Sequence, residues 1–367
     1  MRPSRDNKPY MDHSDLVAHM ESLGMDVGDP RRAEIALREV GYHRLKGYAY
    51  PFRRPLAPER VDAPSRSYRA DAFLEGTSLA AVVRLYSFDA ALREVLWAGL
   101  RDSEVRLRAA TAHVLARRDP GAHVSLEHLD RAACLTETWR GTKLERWQET
   151  CNEAAERASE EDYVVRHRAT YAGPLPVWAV LELLSLGQLP FLLDLMKAED
   201  RSEVARVFGV RNGNVFTAWV RALVAVRNRC AHHARAFNHS YKRKIKVTES
   251  AIVKGGLPDL VGKQASNRLY AHAAVLGHFL EHGVPDSDWQ QQFRAVMERG
   301  PADKVGQPLS FVVVPERDMG FPEGWKRLPL WSEPGDGQAL IRGETEKASP
   351  ARRGFHRNEG RREPQPS

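Results

Sequence analysis

An all-α fold is the expectation for this chain, and three observations carry it. Apolar residues recur at helical intervals through most of the sequence ahead of its C-terminal end. From Arg84 to Ala116 that interval does not break. Leu85, Leu92, Leu96, Gly99, Ser103, Leu107, Ala110 and Val114 follow steps of three, four and seven and fall in one narrow stripe of one long amphipathic helix. Strand patterning is confined to two short runs, Ile245–Thr248 and Phe311–Val314.

Taken in order, the predicted helices begin with Ser14–Leu23 and Pro30–Val40, separated by Gly24 and by Gly28-Asp29-Pro30, where proline opens the second. The long helix follows, then Lys143–Arg168, closed by Gly173-Pro174. Leu175 to Met196 is the most apolar stretch. Glu182, Gly187, Gln188, Pro190 and Asp194 interrupt it, so it predicts two buried helices, Val177–Ser185 and Leu189–Lys197, and no membrane span. Gly209 and a capping turn at Arg211-Asn212-Gly213-Asn214 precede Val215–Arg235. Ser266–Glu281 and Ser287–Arg299 flank the turn Gly283-Val284-Pro285. Beyond Trp331 the composition turns to Glu, Pro, Gly, Arg and Ser, so residues 333–367 are expected to form a disordered basic tail, either solvated padding or a contact for nucleic acid.

The 367 residues are 42% hydrophobic and 28% charged, values that build a substantial core and exclude collagen-like, wholly disordered and disulfide-scaffold classes. Cys134, Cys151 and Cys230 are an odd, sparse set, suited neither to a disulfide framework nor to a cysteine zinc site. Met1 to Met20 lacks the apolar core of a signal peptide, which points to a cytoplasmic protein with no membrane partner. The net charge of +7 leans toward a polyanion.

The segment Ala218 to Phe237 carries the chemistry. Trp219, Leu223, Val226, Cys230, Ala234 and Phe237 form a stripe that faces a core. Arg221, Asn228, His232 and Arg235 fall opposite, where Asn228 is four residues from His232 and placed to orient it. Arg227 lies between the two faces, and His233 turns toward the apolar stripe as a packed core histidine. A solvated basic face is the plain interpretation of such a helix. The chemical one is that histidine transfers protons near neutrality, while surrounding arginines oppose its protonation and offer a fork for phosphate. That combination suits cleavage of RNA by its own 2′-hydroxyl, without metal or cofactor.

Arg227-Asn228-Arg229-Cys230-Ala231-His232 resembles the R-N-x-x-x-H motif of the HEPN superfamily of ribonucleases and toxins. The continuation His233-Ala234-Arg235-Ala236-Phe237-Asn238 resembles its abortive-infection branch, the Abi-like proteins of AbiD and AbiF type. Gly41 to Tyr48 with Pro51-Phe52-Arg53, Arg84 to Asp89 with Glu104 and Arg108, Leu175-Pro176-Val177-Trp178 with Glu182 and Gly187, and Met319-Gly320-Phe321-Pro322 with Trp325 and Leu330-Trp331 resemble further blocks of that family, in order. Ala236 and His239 depart from it, standing where a larger apolar residue and a basic one are expected.

The resemblance covers residues 8–331, with an N-terminal helical region of about 8–75 and a core of about 80–300. It implies a HEPN-like helical bundle with additional peripheral helices, acting as an endoribonuclease in phage defence or as a toxin. It also implies a homodimer that joins two motif helices around RNA, with an antitoxin or phage-derived trigger as a further partner. Arg227, Asn228 and His232 would be catalytic. Arg235, Arg221, Arg44 and Lys46 would bind RNA, and Glu104, Arg108 and Glu182 would support the site. A non-catalytic RNA-binding or partner-binding module is the alternative.

Three other groups need a reading. His278-Phe279-Leu280-Glu281-His282 has the H-x-x-E-H spacing of a zinc peptidase helix but lacks an evident third ligand segment, and Leu269, Ala273, Leu276 and Leu280 make it an ordinary core helix. Tyr42 to Tyr48 suits either base stacking or a turn packed by Tyr42, Leu45 and Tyr48. Glu104 and Arg108 have the spacing of an intrahelical ion pair, and Glu182 on an apolar helix calls for a partner such as an arginine of the motif helix.

Overall fold

A computed structural model describes residues 10–61, 68–171, 173–301 and 313–332. Their fold is all-α: fourteen helices and two small antiparallel sheets. At the N-terminus, α1 (His13–Ser22), α2 (Pro30–Val40) and α3 (Tyr42–Ala49) precede the strands β1 (Arg53–Pro55) and β2 (Arg69–Phe73). Asp12 and Asp29 cap α1 and α2 by accepting from the backbone N–H of Asp15 and Arg31.

The spine is α4 (Leu79–Ala116), which starts where the Ser78 hydroxyl accepts from the Ala81 N–H, five residues ahead of the predicted start. Its predicted stripe is buried along its whole length. Gly99 belongs in that stripe because a side chain there would strike the Trp289 indole, whose Nε1 donates to the Val95 carbonyl at 2.6 Å. A glycine in mid-helix is the local cost of that close approach.

Small elements follow: α5 (Arg131–Cys134), β3 (Glu137–Thr138) and β4 (Gly141–Thr142). The single helix expected over 143–168 is two helices, α6 (Lys143–Arg157) and α7 (Asp162–Thr170). A Thr142–Glu145 capping box starts α6, and the chain turns at 158–161, where the Ala158 and Glu161 N–H groups donate to Ala154 and Ala158. The apolar stretch gives α8 (Val177–Leu183) and α9 (Leu189–Leu195), as expected. Then come α10 (Ala198–Val207), α11 (Gly213–Ala231), α12 (Leu269–Gly283), α13 (Trp289–Arg299) and the short α14 (Pro315–Met319).

Helices α3, α8, α10, α11, α12 and α13 all pack on α4, so the core is one continuous cluster around it. Trp325 and Trp331 close its C-terminal end against Phe293 and Phe321. Ile245–Thr248 is not a strand: Ile245 and Val247 make isolated bridges to Ser266 and Val261. Phe311 and Val312 lie outside the described residues, as does the tail, 333–367, and Val313 and Val314 lead irregularly into α14. Among the described residues no helix is long and apolar enough to cross a membrane. All three cysteines are free and buried.

Candidate active site at the end of α11

Helix α11 opens at Asn212, whose side chain accepts from the N–H groups of Asn214 and Val215. Burial of Phe216, Trp219, Leu223, Val226 and Cys230 fixes its rotation. It ends four residues sooner than the pattern predicts. The N–H of His232 still donates to the Asn228 carbonyl, but His233 turns left-handed at φ +51° and the Ala234 N–H returns to Arg229 at 2.8 Å. This is a helix-ending turn with histidine where glycine is usual. Three expectations change with it. His232 is the exposed cap and the last residue held by a helical bond, His233 is exposed and not packed in the core, and Arg235 lies beyond the helix.

The turn is held from several sides. Arg229 donates through Nε and Nη2 to the Arg235 carbonyl at 2.9 and 2.6 Å. From α3, Arg44 Nη1 donates to the His233 carbonyl at 2.8 Å, and Arg235 reaches back to the Gly47 carbonyl. From α4, the buried carboxylate of Asp89 accepts from the N–H groups of Ala236 (3.1 Å) and Phe237 (2.6 Å) and from the Tyr48 hydroxyl (2.5 Å), and pairs with Arg93. Burial pushes the Asp89 carboxyl upward; Tyr48, Arg93 and the two amides favour its charged form and oppose that rise. The α3 block is therefore structural in Leu45 and Tyr48, which are buried, and positional in Arg44, while Tyr42 is half-buried.

Beside the turn, Arg227 Nη1 donates to Asn228 Oδ1 at 3.2 Å, so the asparagine side chain turns to the arginine and only its backbone carbonyl serves His232. The Arg227 guanidinium lies 5.7 Å over the ring of Trp97, and its Nε, 3.7 Å from Glu104 Oε2, is buried without a hydrogen-bond partner. Glu104 pairs with Arg108 as its spacing predicts. Arg108 also donates to the Leu184 carbonyl at 2.7 Å and stands 3.5 Å from Glu182. Glu182 is exposed, and its partner comes from α4 and not from the motif helix.

The fold thus brings Asn228, His232 and Arg44 together at one turn through backbone contacts, and sets Arg227 beside Asn228 in a separate chain of contacts with Glu104 and Arg108. It does not present Arg221 or Arg235 in the same way. Arg221 pairs with Asp194 and donates to the Pro190 carbonyl, and Arg235 is committed to Gly47. Lys46 is half-buried and lines a crevice with Tyr42 and Arg53. The departures at 236 and 239 have local reasons. Ala236 is fully buried at the Asp89 carboxylate. The His239 imidazole is driven down to about 4 by burial and by Arg229 and Arg235, so no charge sits there near neutral pH.

Three residues escaped the sequence reading as site residues: Asp89, Arg229 and Trp97. Asp89 was detectable, since it lies four residues after Leu85, three before Leu92 and seven before Leu96, a charge within the apolar stripe. The structure gives no comparable opening to the pair on α12. His278, Glu281 and His282 place ligand atoms within 4.8 Å of one another. Yet His278 Nε2 faces the Gly209 carbonyl at 3.2 Å, and His282 Nδ1 faces the His278 carbonyl at 3.0 Å. Both are ordinary backbone partners for helix histidines.

Residues 35–238 match the profile of the Abi-like protein family. The chain belongs to the Abi-like family. No curated protein and no solved structure matches it. In this Abi-like protein the matched span is narrower than the expected 8–331, but it contains every contact that pins the His232 turn. It stops at Asn238, whereas α12 and α13 pack on α4, so the folded unit continues past it.

Proposed function

We propose that this Abi-like protein acts in phage defence by abortive infection, as its family's description suggests, and that it does so as a metal-independent endoribonuclease of HEPN type. The observation that carries the reading is an exposed imidazole, His232, on a turn fixed by α3 and α4 beside the Arg227–Asn228 pair. In this reading His232 takes the proton of the RNA 2′-hydroxyl, which attacks the adjacent phosphorus as the bond to the 5′-oxygen breaks. Arg227 holds the phosphate and stabilises its developing charge, and Asn228 sets the Arg227 fork. One histidine is poorly placed to act as both base and acid. Two copies pairing across their motif turns supply a second.

The test is incubation of the purified protein with RNA in excess EDTA, with characterisation of fragment ends. Cleavage that persists and leaves 2′,3′-cyclic phosphate and 5′-hydroxyl ends supports the mechanism. Loss on chelation with recovery on zinc or magnesium overturns it and redirects attention to His278 and His282.

One observation favours a second reading, a non-catalytic binding module. Arg221, Arg227 and Arg235 all direct donors at protein acceptors, which leaves fewer for phosphate. Such a module would bind RNA or a partner, cut nothing, and tolerate His232→Ala.

A further inference from the structure

A cavity of about 570 Å³ opens between α7 and α8, with Glu182 on its wall. Three aromatic side chains stand uncovered in it: Tyr171 is 63% exposed, Trp178 50% and Tyr163 41%. Their supports are rigid. Val177, Val180 and Leu181 are buried, and the Val177 N–H donates to the Pro120 carbonyl at 2.8 Å, so α8 holds Trp178 outward. His167 contacts the Gly173 and Pro174 carbonyls at 3.3 and 3.1 Å and lies 5.1 Å from the Tyr171 ring, tying the loop after α7.

The polar groups of the cavity decide what it suits. Arg166 and Asp162 stand in its lining with opposite charges, and Glu182 is offset by Arg108 at 3.5 Å, so the opening carries no net positive charge to draw in a phosphodiester. Aromatic faces combined with carboxylate acceptors are instead what an unpaired base needs. The ring stacks, and an amino group of cytosine, adenine or guanine donates to a carboxylate, whereas the single N3–H donor of uracil is flanked by two carbonyl oxygens that repel it. A second copy of the chain would cover the rings but would also desolvate Asp162, Arg166 and Glu182. The cavity is also joined to the candidate site. Glu182 meets Arg108, Arg108 meets Glu104, and Glu104 lies against Arg227.

We infer that this cavity is a subsite for one unpaired, amino-bearing nucleobase of single-stranded RNA, stacked on Trp178 between Tyr163 and Tyr171 and read by Glu182. The inference rests on the RNA reading above and extends it to substrate preference.

The test uses the full-length His232→Ala protein, which binds without cutting, and labelled oligocytidine and oligouridine of equal length, followed by fluorescence anisotropy. Oligocytidine is expected to bind about tenfold more tightly than oligouridine. Adding Trp178→Ala removes about tenfold of the oligocytidine affinity, Trp178→Phe restores most of it, and Glu182→Gln equalises the two oligonucleotides. The salt slope stays unchanged in the Trp178 variants, because no phosphate contact is lost. Failure of the parent protein to bind either oligonucleotide overturns the RNA reading itself. Equal binding by the parent and the Trp178→Ala protein, with melting temperature preserved, overturns the subsite and leaves the RNA reading standing. A shift from dimer to monomer on sedimentation of Trp178→Ala, with RNA affinity unchanged, overturns it in favour of an interface between copies.

Discussion

Two helices of this protein end in paired histidines, and one ring of each pair meets the opposite fate. At the end of α11, His232 is exposed on a turn whose backbone is fixed by Arg44, Arg229 and Asp89. At the end of α12, His278 is buried against Gly209 and Gly256, with ring nitrogens directed at backbone carbonyls. The residue type is the same, and both spacings invite a chemical interpretation. What separates them is whether the fold holds the backbone and leaves the ring available, or holds the ring itself.

The contrast is broken most severely by removing what holds the first turn. Asp89→Asn leaves Arg93 without its buried counter-charge and should cost about 3–5 kcal/mol of stability, read as a fall in denaturation midpoint. RNA cleavage should fall with it even at temperatures where the variant is folded, because the amide has one acceptor oxygen for two sets of donors and turns an NH2 group toward either the Ala236 and Phe237 N–H groups or Tyr48 and Arg93. Unchanged cleavage in the folded variant would show that the turn does not need this anchor.

Acid should attack the second pair. The His278 imidazole is driven down to about 4 by burial and by His282, below the ordinary value of about 6.5. Falling pH therefore adds protons to the unfolded chain that the fold refuses. The stability due to His278 is complete above pH 6.5, is lost as pH falls toward 4, and amounts to something on the order of 3 kcal/mol. His123, also driven to about 4 by burial, adds to the same limb. Melting temperature measured against pH should drop through this window, and His278→Gln should flatten the drop. An unaltered profile would mean that the ring is not held as the structure shows.

Replacing the exposed ring should do the reverse. His232→Ala should leave the melting temperature unchanged and lower cleavage about a hundredfold or more. When wild-type and His232→Ala chains exchange freely, verified by tagged pull-down, activity should fall as the square of the wild-type fraction if both protomers build one site. A linear fall assigns each chain its own complete site. The smallest effect concerns the left-handed residue. His233→Gly relieves its backbone strain and should raise stability by up to about 1 kcal/mol, measured by denaturant unfolding, with cleavage retained.

Much of the fold was legible because period-3.6 burial governs α2, α4, α8 and α9, and their starts coincide with chemical caps or prolines. The divided helix was less so. Ala158 to Glu161 contains no glycine or proline, and a continued helix would bury Val165, eleven residues after Ala154, within about 20° of the same face. The structure instead buries Val164 and leaves Val165 51% exposed. A slip of one position was the sole sign of the break, and adjacent valines concealed it. At the site, the motif residues could be named from sequence, but their relations could not. Helical-wheel reasoning assumed helix through Arg235, and nothing in the residue types announces that His233 adopts the conformation of a glycine. The ion pair of Arg221 with Asp194 and the outward position of Glu182 depend on neighbours from other helices, which no local pattern encodes.

The long helix α4 has one further consequence. Asp89 reaches the motif turn, Trp97 and Glu104 flank Arg227, and Arg108 reaches Glu182, all from a single rod. An α-helix advances about 1.5 Å and turns about 100° per residue, so these groups are fixed both in spacing and in angle. Substitution along the rod disturbs one group at a time. Deleting or inserting a single residue between Asp89 and Glu104 would instead rotate every later side chain off its target at once. Evolution along this helix can therefore test its residues one at a time but is barred from changing its length, and the variation in size that loops absorb elsewhere has no place to occur here.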